Sequence, residues 1–441
     1  FFFFFLRIQH PILAFFNLPK LFSYRMFFFF FFLVQQPQEE LHHPGNHRKV
    51  MALENHSDHM EDNRFREVKK FKKKDLPVLL QWFAGEDYFF EEVIGLHSSE
   101  ISKFKFIGQE AYNIFEKATD KIIQEKNLHL LNIPSYFHQI IEKTWNDRQN
   151  HPLLYGRFDI NGGINERHAK VIEFNADTCS TLPETILWQK LQLAEIKAPM
   201  GQFNNLDKDL ETSLAELKRN IPFEKPYFLA SSFGHKEDKL NCDMVLNAAH
   251  KAGFDIFYTD LENVTFSDEG IFVEIGGEFQ PVDVWFKMIP WDWIFNEEQE
   301  LARTLIDLIN KDLTKVLNPP YTAVWQNKLF LNYITQHFPN TFIAETYDNP
   351  SLLSGKDYVE KPIYGRMGEN VKFSHKNVEV KGDFAQQPKI YQRYYPLEKD
   401  QENYYFQLGL FYTFQPSAIN FRAEDQEIIT NNCEFVSHFI I

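Results

Sequence analysis

The sequence predicts a mixed fold of the α+β and α/β classes, in which helices pack against parallel and antiparallel sheets. Residues 227–260 read as strand, loop, helix and strand, and this βαβ pattern favours an α/β lobe at about residues 222–262. Residues 102–126 and 136–147 place Phe, Ile and Leu at helical spacing with charged residues between them. Residues 263–288 read as short antiparallel strands separated by glycine-containing turns. We therefore expect both kinds of sheet in one chain.

Other elements are expected in order along the chain. Leu153 to Tyr155 and Lys170 to Phe174 are apolar, strand-like runs, and the turn-rich segment 161–165 can fold them into a hairpin. Pro183 suits a helix start, and Gly253 suits the position just after the helix of the βαβ unit. Further helices are expected over residues 185–196, 297–312 and 327–337, followed by strands and turns to the C-terminus.

Composition excludes some classes of function. The 441 residues are enough for two or more packed lobes. Because 46 Lys+Arg face 61 Asp+Glu, the net charge of -15 argues against nucleic-acid binding, which needs a basic surface. The three cysteines, Cys179, Cys242 and Cys433, show neither a disulfide framework nor zinc-ligand spacing. A cytoplasmic setting is the simplest inference.

Residues 1–60 have the composition of a non-native or disordered extension rather than of a folded domain. Phe1 to Phe5 and Phe27 to Phe32 are homopolymeric, and polar residues interrupt the segment before an apolar span of about 18 residues is reached. No small-residue cleavage site follows the second run. Translated upstream sequence, with a start at Met51 or Met60, is favoured over a membrane or export segment. We expect residues 61–441 to form the folded region, with no membrane partner.

The most distinctive chemistry lies in Gly156-Arg157-Phe158-Asp159 and, shortly after it, Glu173-Phe174-Asn175-Ala176-Asp177-Thr178. Side chains of a strand alternate between faces, so Arg157 shares a face with Asp159, and Glu173 shares a face with Asn175. Oxygen ligands that converge from neighbouring strands suit Mg²⁺, which binds a few protein oxygens together with phosphate oxygens. A charged hairpin edge is the alternative interpretation of the same residues.

A second cluster lies in the C-terminal third of the chain. A strand-like run, residues 358–362, contains Lys361 and leads into a loop in which Gly365 and Gly368 bracket Arg366. Backbone N–H groups of such a loop can approach a phosphate closely, and the arginine can add charge-assisted hydrogen bonds. The loop matches neither a Walker A sequence nor a GxGxxG fingerprint, and a plain hairpin turn is the alternative. Arg422 follows an apolar strand, where a surface ion pair is the alternative.

Taken together, these residues resemble the ATP-grasp ligases of the glutathionylspermidine synthase type, from about Asp75 to the C-terminus. Four blocks in this order carry the resemblance: 156–159, 173–178, 361–371 and 421–425. The resemblance implies a permuted ATP-grasp fold with an additional α/β lobe, because the metal-bearing strands precede the nucleotide lysines. It also implies a synthetase-only member, without the amidase domain of bifunctional relatives.

The resemblance also implies a role for each residue that matches the family's motifs. Metal ligands would be Asp159, Glu173 and Asn175. Nucleotide-binding residues would be Lys328, Lys361, Gly365, Gly368, Glu369 and Gln392. The arginines facing the transferring γ-phosphate and the acyl group would be Arg157, Arg366 and Arg422. Residues near the substrates would be Thr178, Ser180, Glu237 and Asp238.

The implied reaction is an ATP- and Mg²⁺-dependent ligation of a carboxylate to an amine through an acyl phosphate. The implied partners are a glutathione-like peptide and a polyamine-like amine, and the resemblance is compatible with a homodimer. Cys179 stands where the family commonly has Pro, and Met288 stands where some relatives have a polar residue. Two alternatives therefore stay open: a ligase for a different pair of substrates, and a degenerate ATP-binding protein without ligase activity.

Overall fold

The computed structural model describes residues 59–82, 88–198 and 200–441, together with the backbone of two short strands nearer the N-terminus. The extension expected at residues 1–60 therefore lies almost entirely outside the described residues. Within the described part, no helix is long and apolar enough to cross a membrane.

Helices and strands alternate along most of the chain. The α-helices are α1 Ser98–Gln124, α2 Ser135–Asn146, α3 Gln189–Ile196, α4 Leu206–Arg219, α5 Lys236–Lys251, α6 Trp291–Glu297, α7 Gln299–Asn310, α8 Thr322–Gln326 and α9 Leu329–His337. The strands are β1 Arg7–Ile8, β2 Tyr24–Arg25, β3 Phe65–Glu67, β4 Glu92–Leu96, β5 Gly156–Asn161, β6 Lys170–Asn175, β7 Tyr227–Ser231, β8 Asp255–Tyr258, β9 Val264–Ser267, β10 Gly270–Ile275, β11 Glu278–Pro281, β12 Val284–Lys287, β13 Lys315–Leu317, β14 Thr346–Tyr347, β15 Tyr358–Pro362, β16 Lys372–Phe373, β17 Lys389–Arg393, β18 Glu398–Lys399, β19 Tyr405–Tyr412, β20 Pro416–Glu424, β21 Glu434–Val436 and β22 His438–Ile440.

The largest sheet is antiparallel and has the strand order β21-β20-β19-β5-β6, with β18 added beside β19. The predicted hairpin is present, but its first strand was placed wrongly at residues 153–155. The strand is instead β5, Gly156–Asn161, because these residues pair with β19 on one side and β6 on the other. The register places Asp159 opposite Glu173 and Arg157 opposite Asn175.

The two faces of the β5–β6 pair differ because successive side chains alternate between them. Phe158 and Phe174 stack at a ring separation of 3.9 Å on one face, and Phe115 of α1 contacts both rings edge-on. This aromatic core fixes the sheet from one side. The polar residues of both strands therefore project together from the opposite face.

A separate parallel sheet has the order β13-β12-β7-β8, and α5 connects β7 to β8. The predicted βαβ unit is thus confirmed, and Gly253 follows the helix with a φ of +93° as expected. The prediction that residues 263–288 form only antiparallel strands was wrong at their end. β12 is entirely buried and pairs in parallel with β7 and β13, as suits a central strand covered on both faces.

The remaining predicted elements are mostly confirmed. β9, β10 and β11 form an antiparallel sheet, and α1, α2, α7 and α9 correspond to the four helices expected from periodicity. The helix expected at residues 185–196 begins as a π-helix at Glu184–Trp188 before α3. A small antiparallel sheet, β14-β17-β15-β16, carries Lys361 and Gln392. The mixed helix-and-sheet class is therefore confirmed.

Candidate active site

A cluster of charged and amide side chains covers the polar face of β5 and β6. The Arg157 Nε donates to Asp159 Oδ1 at 2.8 Å. The Asn175 Nδ2 donates to Asp159 Oδ2 at 3.1 Å and to Glu173 Oε1 at 3.2 Å, so one amide bridges both carboxylates. Burial works against the charge of Arg157, but Asp159 outweighs it and raises the pKa of the guanidinium. The four motif residues thus form one hydrogen-bonded unit.

Arg422 reaches the same carboxylate from β20, two strands away. Its NH2 group donates to Asp159 Oδ2 at 2.7 Å and also to Gln407 of β19. Between these strands Gly409 leaves room for the arginines, since a Cβ there would lie 2.8 Å from the Arg157 Cδ. Two guanidinium groups therefore converge on Asp159.

Two lysines face Glu173 from other parts of the chain. The Lys328 Nζ lies 3.4 Å from Glu173 Oε2, and the Lys361 Nζ donates to Gln392 Oε1 at 2.8 Å. Burial alone would raise the pKa of Glu173, but Lys328 and Lys361 hold it well below its usual range. Burial lowers the pKa of Lys361 to about 8, while Glu173 opposes the shift. Glu173 is therefore a stable carboxylate held between two cations.

The loop at residues 363–371 lies across from the carboxylates. Lys328 links this loop to β6, because its Nζ donates to the Gly365 carbonyl at 2.8 Å and also lies 3.4 Å from Glu173 Oε2. Gly368 has a φ of +69°, and a Cβ there would lie 2.7 Å from the Ile428 Cγ2. Arg366 donates to Asp292 of α6. The predicted glycines thus mark a tight turn that packs against a neighbouring loop.

All the site residues predicted from the sequence line one cleft of about 950 Å³. They are Arg157, Asp159, Glu173, Asn175, Thr178, Ser180, Glu237, Asp238, Lys328, Lys361, Gly365, Arg366, Gly368, Glu369, Gln392 and Arg422. Residues separated by more than two hundred positions in the chain are therefore neighbours in space, although their individual roles stay predictions.

The end of the cleft formed by the start of α5 carries acidic and aromatic side chains. Glu237 and Asp238 lie in the first turn of α5 after Lys236, and Phe233, which precedes that helix, contacts Trp293 at a ring separation of 5.0 Å. Burial, with Glu237 nearby, raises the pKa of Asp238 to about 7. Glu184 is almost completely buried, and burial raises its pKa to about 7. It therefore keeps its proton at a higher pH than a surface carboxyl does. This end suits a cation that contacts aromatic rings.

The thiols in the cleft are not activated. Cys179 and Cys433 line it, but both are buried and unpaired. Burial raises the pKa of Cys179 to about 12 and that of Cys433 to about 11. At neutral pH both remain protonated, and Cys179 is a small apolar filler rather than a nucleophile.

Sequence reasoning missed several residues that hold the site together. Gln326 accepts the N–H groups of Ala176 and Asp177 through its Oε1, at 3.1 and 3.3 Å. Lys287 donates to Asp177 at 2.6 Å, with both side chains almost fully buried. Asp177 was visible in the motif, but its partner lies 110 residues away. No local pattern could have revealed these pairs.

Comparison with known proteins defines the class. A sequence profile described as "Glutathionylspermidine synthase preATP-grasp" matches residues 67–441. A "Putative acid--amine ligase" of Haemophilus influenzae is 27% identical over 321 residues, which cover 69% of this chain and 78% of that protein. The trypanothione synthetase of Crithidia fasciculata is 25% identical over 364 residues, covering 73% of this chain and 52% of that protein. The match thus spans about half the length of the trypanothione synthetase.

One solved structure, of a glutathione synthetase-like effector (GSS30) from Globodera pallida, aligns with a TM-score of 0.49 and 10% identity. The alignment covers 79% of this chain and 89% of that chain, and at this level it supports no further conclusion.

The sequence matches define an enzyme of the carbon–nitrogen ligase class. The profile covers nearly all of the described chain, and the resemblance stated from the motifs is confirmed. The chain belongs to the glutathionylspermidine synthase family.

Proposed function

We propose that this protein is an ATP- and Mg²⁺-dependent ligase that joins a carboxylate to an amine through an acyl phosphate, on a permuted ATP-grasp fold. The observation that carries the proposal is the charge arrangement in the cleft. Arg157 and Arg422 contact the Asp159 carboxylate and Lys328 contacts that of Glu173. Two further cationic side chains, Lys361 and Arg366, line the same cleft. Such a site suits a polyphosphate that is bound together with a divalent cation.

The residues present fit a magnesium ion. Asp159 and Glu173 face each other across paired strands, and the Asn175 side chain contacts both. Within the described residues no group of three His, Cys, Asp or Glu side chains could hold a metal. Two carboxylates and one amide are nevertheless enough for Mg²⁺, which keeps several ligands from water and phosphate. When bound, Mg²⁺ would neutralise phosphate charge.

Other residues would hold the nucleotide. Lys328 and Lys361 supply buried positive charge, and the Gly365–Gly368 turn offers backbone N–H groups. In addition to Gln392, the cleft is lined by the apolar side chains of Ile172, Val359 and Leu397, which suit a flat aromatic base.

The chemistry needs no enzyme nucleophile. The acid's carboxylate oxygen attacks the γ-phosphorus of ATP, the bond to the β-phosphate oxygen breaks, and ADP leaves. The amine nitrogen then attacks the carbonyl carbon of the acyl phosphate, inorganic phosphate leaves, and the amine loses a proton. Arg157, Arg366 and Arg422 stabilise the charge spread over the transferred group. The cleft walls limit hydrolysis by excluding water.

The acidic end of the cleft supports a cationic amine as the second substrate. Glu237 and Asp238 supply negative charge beside aromatic rings, an arrangement that suits a polyamine-like ammonium group. The acid, by analogy with the family, is a glutathione-like peptide. A cytoplasmic location is part of the proposal, and the three unpaired cysteines fit a reducing compartment.

The proposal is tested by measuring ADP release over a panel of carboxylate and amine pairs in the presence of Mg²⁺. We expect release that requires both substrates and falls by at least about a hundredfold in Glu173→Gln, because the variant loses an oxygen ligand of the cation site. Glu142→Gln is the matched control, since Glu142 pairs with Lys126 and neither side chain lines the cleft. Tight Mg·ATP binding without ADP release for any pair would favour the degenerate alternative.

A further inference from the structure

Asp292 lies behind the phosphate-facing loop and was not suggested by any motif. It is the second residue of α6, its side chain is 9% exposed, and it forms an ion pair with Arg366. Asp292 does not line the cleft, whereas Arg366 does. A carboxylate buried behind a candidate catalytic arginine can orient that arginine without touching the substrate.

The start of α6 is firmly anchored, so Asp292 is a fixed point. The preceding residue, Trp291, is fully buried, and its N–H donates to Asp177 Oδ2 at 2.6 Å. The other oxygen of Asp177 accepts from Lys287 at 2.6 Å. Asp177 in turn lies two residues after the end of β6. The helix carrying Asp292 is therefore tied to the strand that bears Glu173 and Asn175.

The loop that carries Arg366 has a backbone fixed by turn hydrogen bonds, but its tip is exposed. Met367, the next residue, is 44% exposed and has a φ of +53°, and Gly368 and Asn370 also have positive φ values. Arg366 has a long side chain with many rotamers, and ordering such a side chain costs conformational entropy. An ion pair to a rigid carboxylate selects one of those rotamers before ligand binds.

We propose that Asp292 is a positioning residue that aims the Arg366 guanidinium into the cleft and affects nucleotide binding only through that arginine. This rests on the proposed function, in which Arg366 faces the γ-phosphate. ADP lacks the γ-phosphate that Arg366 would contact. Asp292 therefore influences the affinity for ATP but not the affinity for ADP.

A double-mutant cycle in the full chain tests the proposal. The variants are Asp292→Asn, Arg366→Gln and the combination, and the quantity measured is the Kd of a non-hydrolysable ATP analogue and of ADP with Mg²⁺. We expect D292N to weaken analogue binding by about tenfold to a hundredfold, as for a misplaced positioning group, with ADP binding unchanged. In the R366Q background the same substitution should change the analogue Kd by less than about twofold, since contacting residues are not additive.

Asp207→Asn is the matched control, because Asp207 also lies in the first turn of a helix and pairs with a cation, Lys190, outside the cleft. It should leave both affinities unchanged. The inference is overturned if D292N raises the analogue Kd by the same factor in the parent and in the R366Q background. It is also overturned if the D292N protein unfolds while R366Q stays folded, because Asp292 would then support the helix instead of the arginine.

Limited trypsin digestion without nucleotide gives a second measurement. If Asp292 holds Arg366, D292N should speed cleavage after Arg366 severalfold, whereas an unchanged rate overturns the inference. A parent protein that binds neither nucleotide would refute the proposed function, and the digestion would still decide whether Asp292 restrains the loop. A parent that binds ATP but gives an additive cycle would refute only the role of Asp292.

Discussion

Replacing Lys287 by Met should be among the most destabilising single changes in the site region. The Lys287 Nζ lies 2.6 Å from Asp177 Oδ1, and the two side chains are 0% and 1% exposed. The same Nζ donates to the Ile289 carbonyl and lies 4.4 Å from the centre of the Trp291 ring. Met fills a similar volume, so the main loss is the positive charge. The Asp177 carboxylate would be left buried without its cation.

The expected magnitude follows from that unpaired carboxylate. Removing one partner of a buried ion pair costs about 3–5 kcal/mol of unfolding free energy, because the remaining charge stays desolvated. Burial raises the pKa of Asp177 and lowers that of Lys287 although each faces the opposite charge, so desolvation exceeds attraction for both. The double variant Asp177→Asn/Lys287→Met should therefore lose less than about 2 kcal/mol, since no charge remains buried. The Asn oxygen can still accept the Trp291 N–H.

Urea-induced unfolding, followed by tryptophan fluorescence, measures these differences. Lys190→Met is the control, because Lys190 makes an ion pair of 2.8 Å whose side chains are 44% and 33% exposed, and its replacement should cost less than about 1 kcal/mol. The reasoning would be refuted if Lys287→Met were no more destabilising than this control. A double variant less stable than Lys287→Met would equally refute the account based on desolvation.

Two further predictions concern nucleotide and amine binding. Gly368→Ala should raise the Kd for Mg·ATP by about tenfold or more, because a Cβ would lie 2.7 Å from Ile428 and the φ of +69° disfavours Ala. Gly355→Ala is the control, since Gly355 also has a positive φ but nothing lies within 4 Å of its Cβ position. Equal effects of the two substitutions on the Kd would contradict the steric argument. Asp238, whose pKa burial raises to about 7, is charged above that pH and neutral below it, so the KM for a cationic amine should rise as the pH falls through about 7. Asp238→Asn should flatten that profile, and an unchanged profile would exclude Asp238 from the amine site.

The sequence gathered the residues of one cleft more completely than it predicted the strands. Asp159, Glu173 and Arg366 lie in short blocks whose order along the chain resembles one family, and that resemblance selected them, while their roles stay predictions. β12 was different, because a strand of three apolar residues and a lysine is compatible with either kind of sheet. Its parallel pairing with β7 depends on a contact between strands more than fifty residues apart. The same limit applies to Asp292, whose partner Arg366 is 74 residues away.

The charge distribution in the cleft accounts for how an acidic chain could bind a polyanion. The net charge of -15 repels ATP at long range, but salt screens charges beyond about 8–10 Å. The cleft lining has a different balance, because its seven lysine and arginine side chains outnumber its six carboxylates. At the start of α5, Glu237 and Asp238 add negative charge beside Lys236. On the proposed function, this polarity orients the phosphates toward one end and the amine toward the other. The acyl group would then be transferred where the two regions meet, beside Arg157.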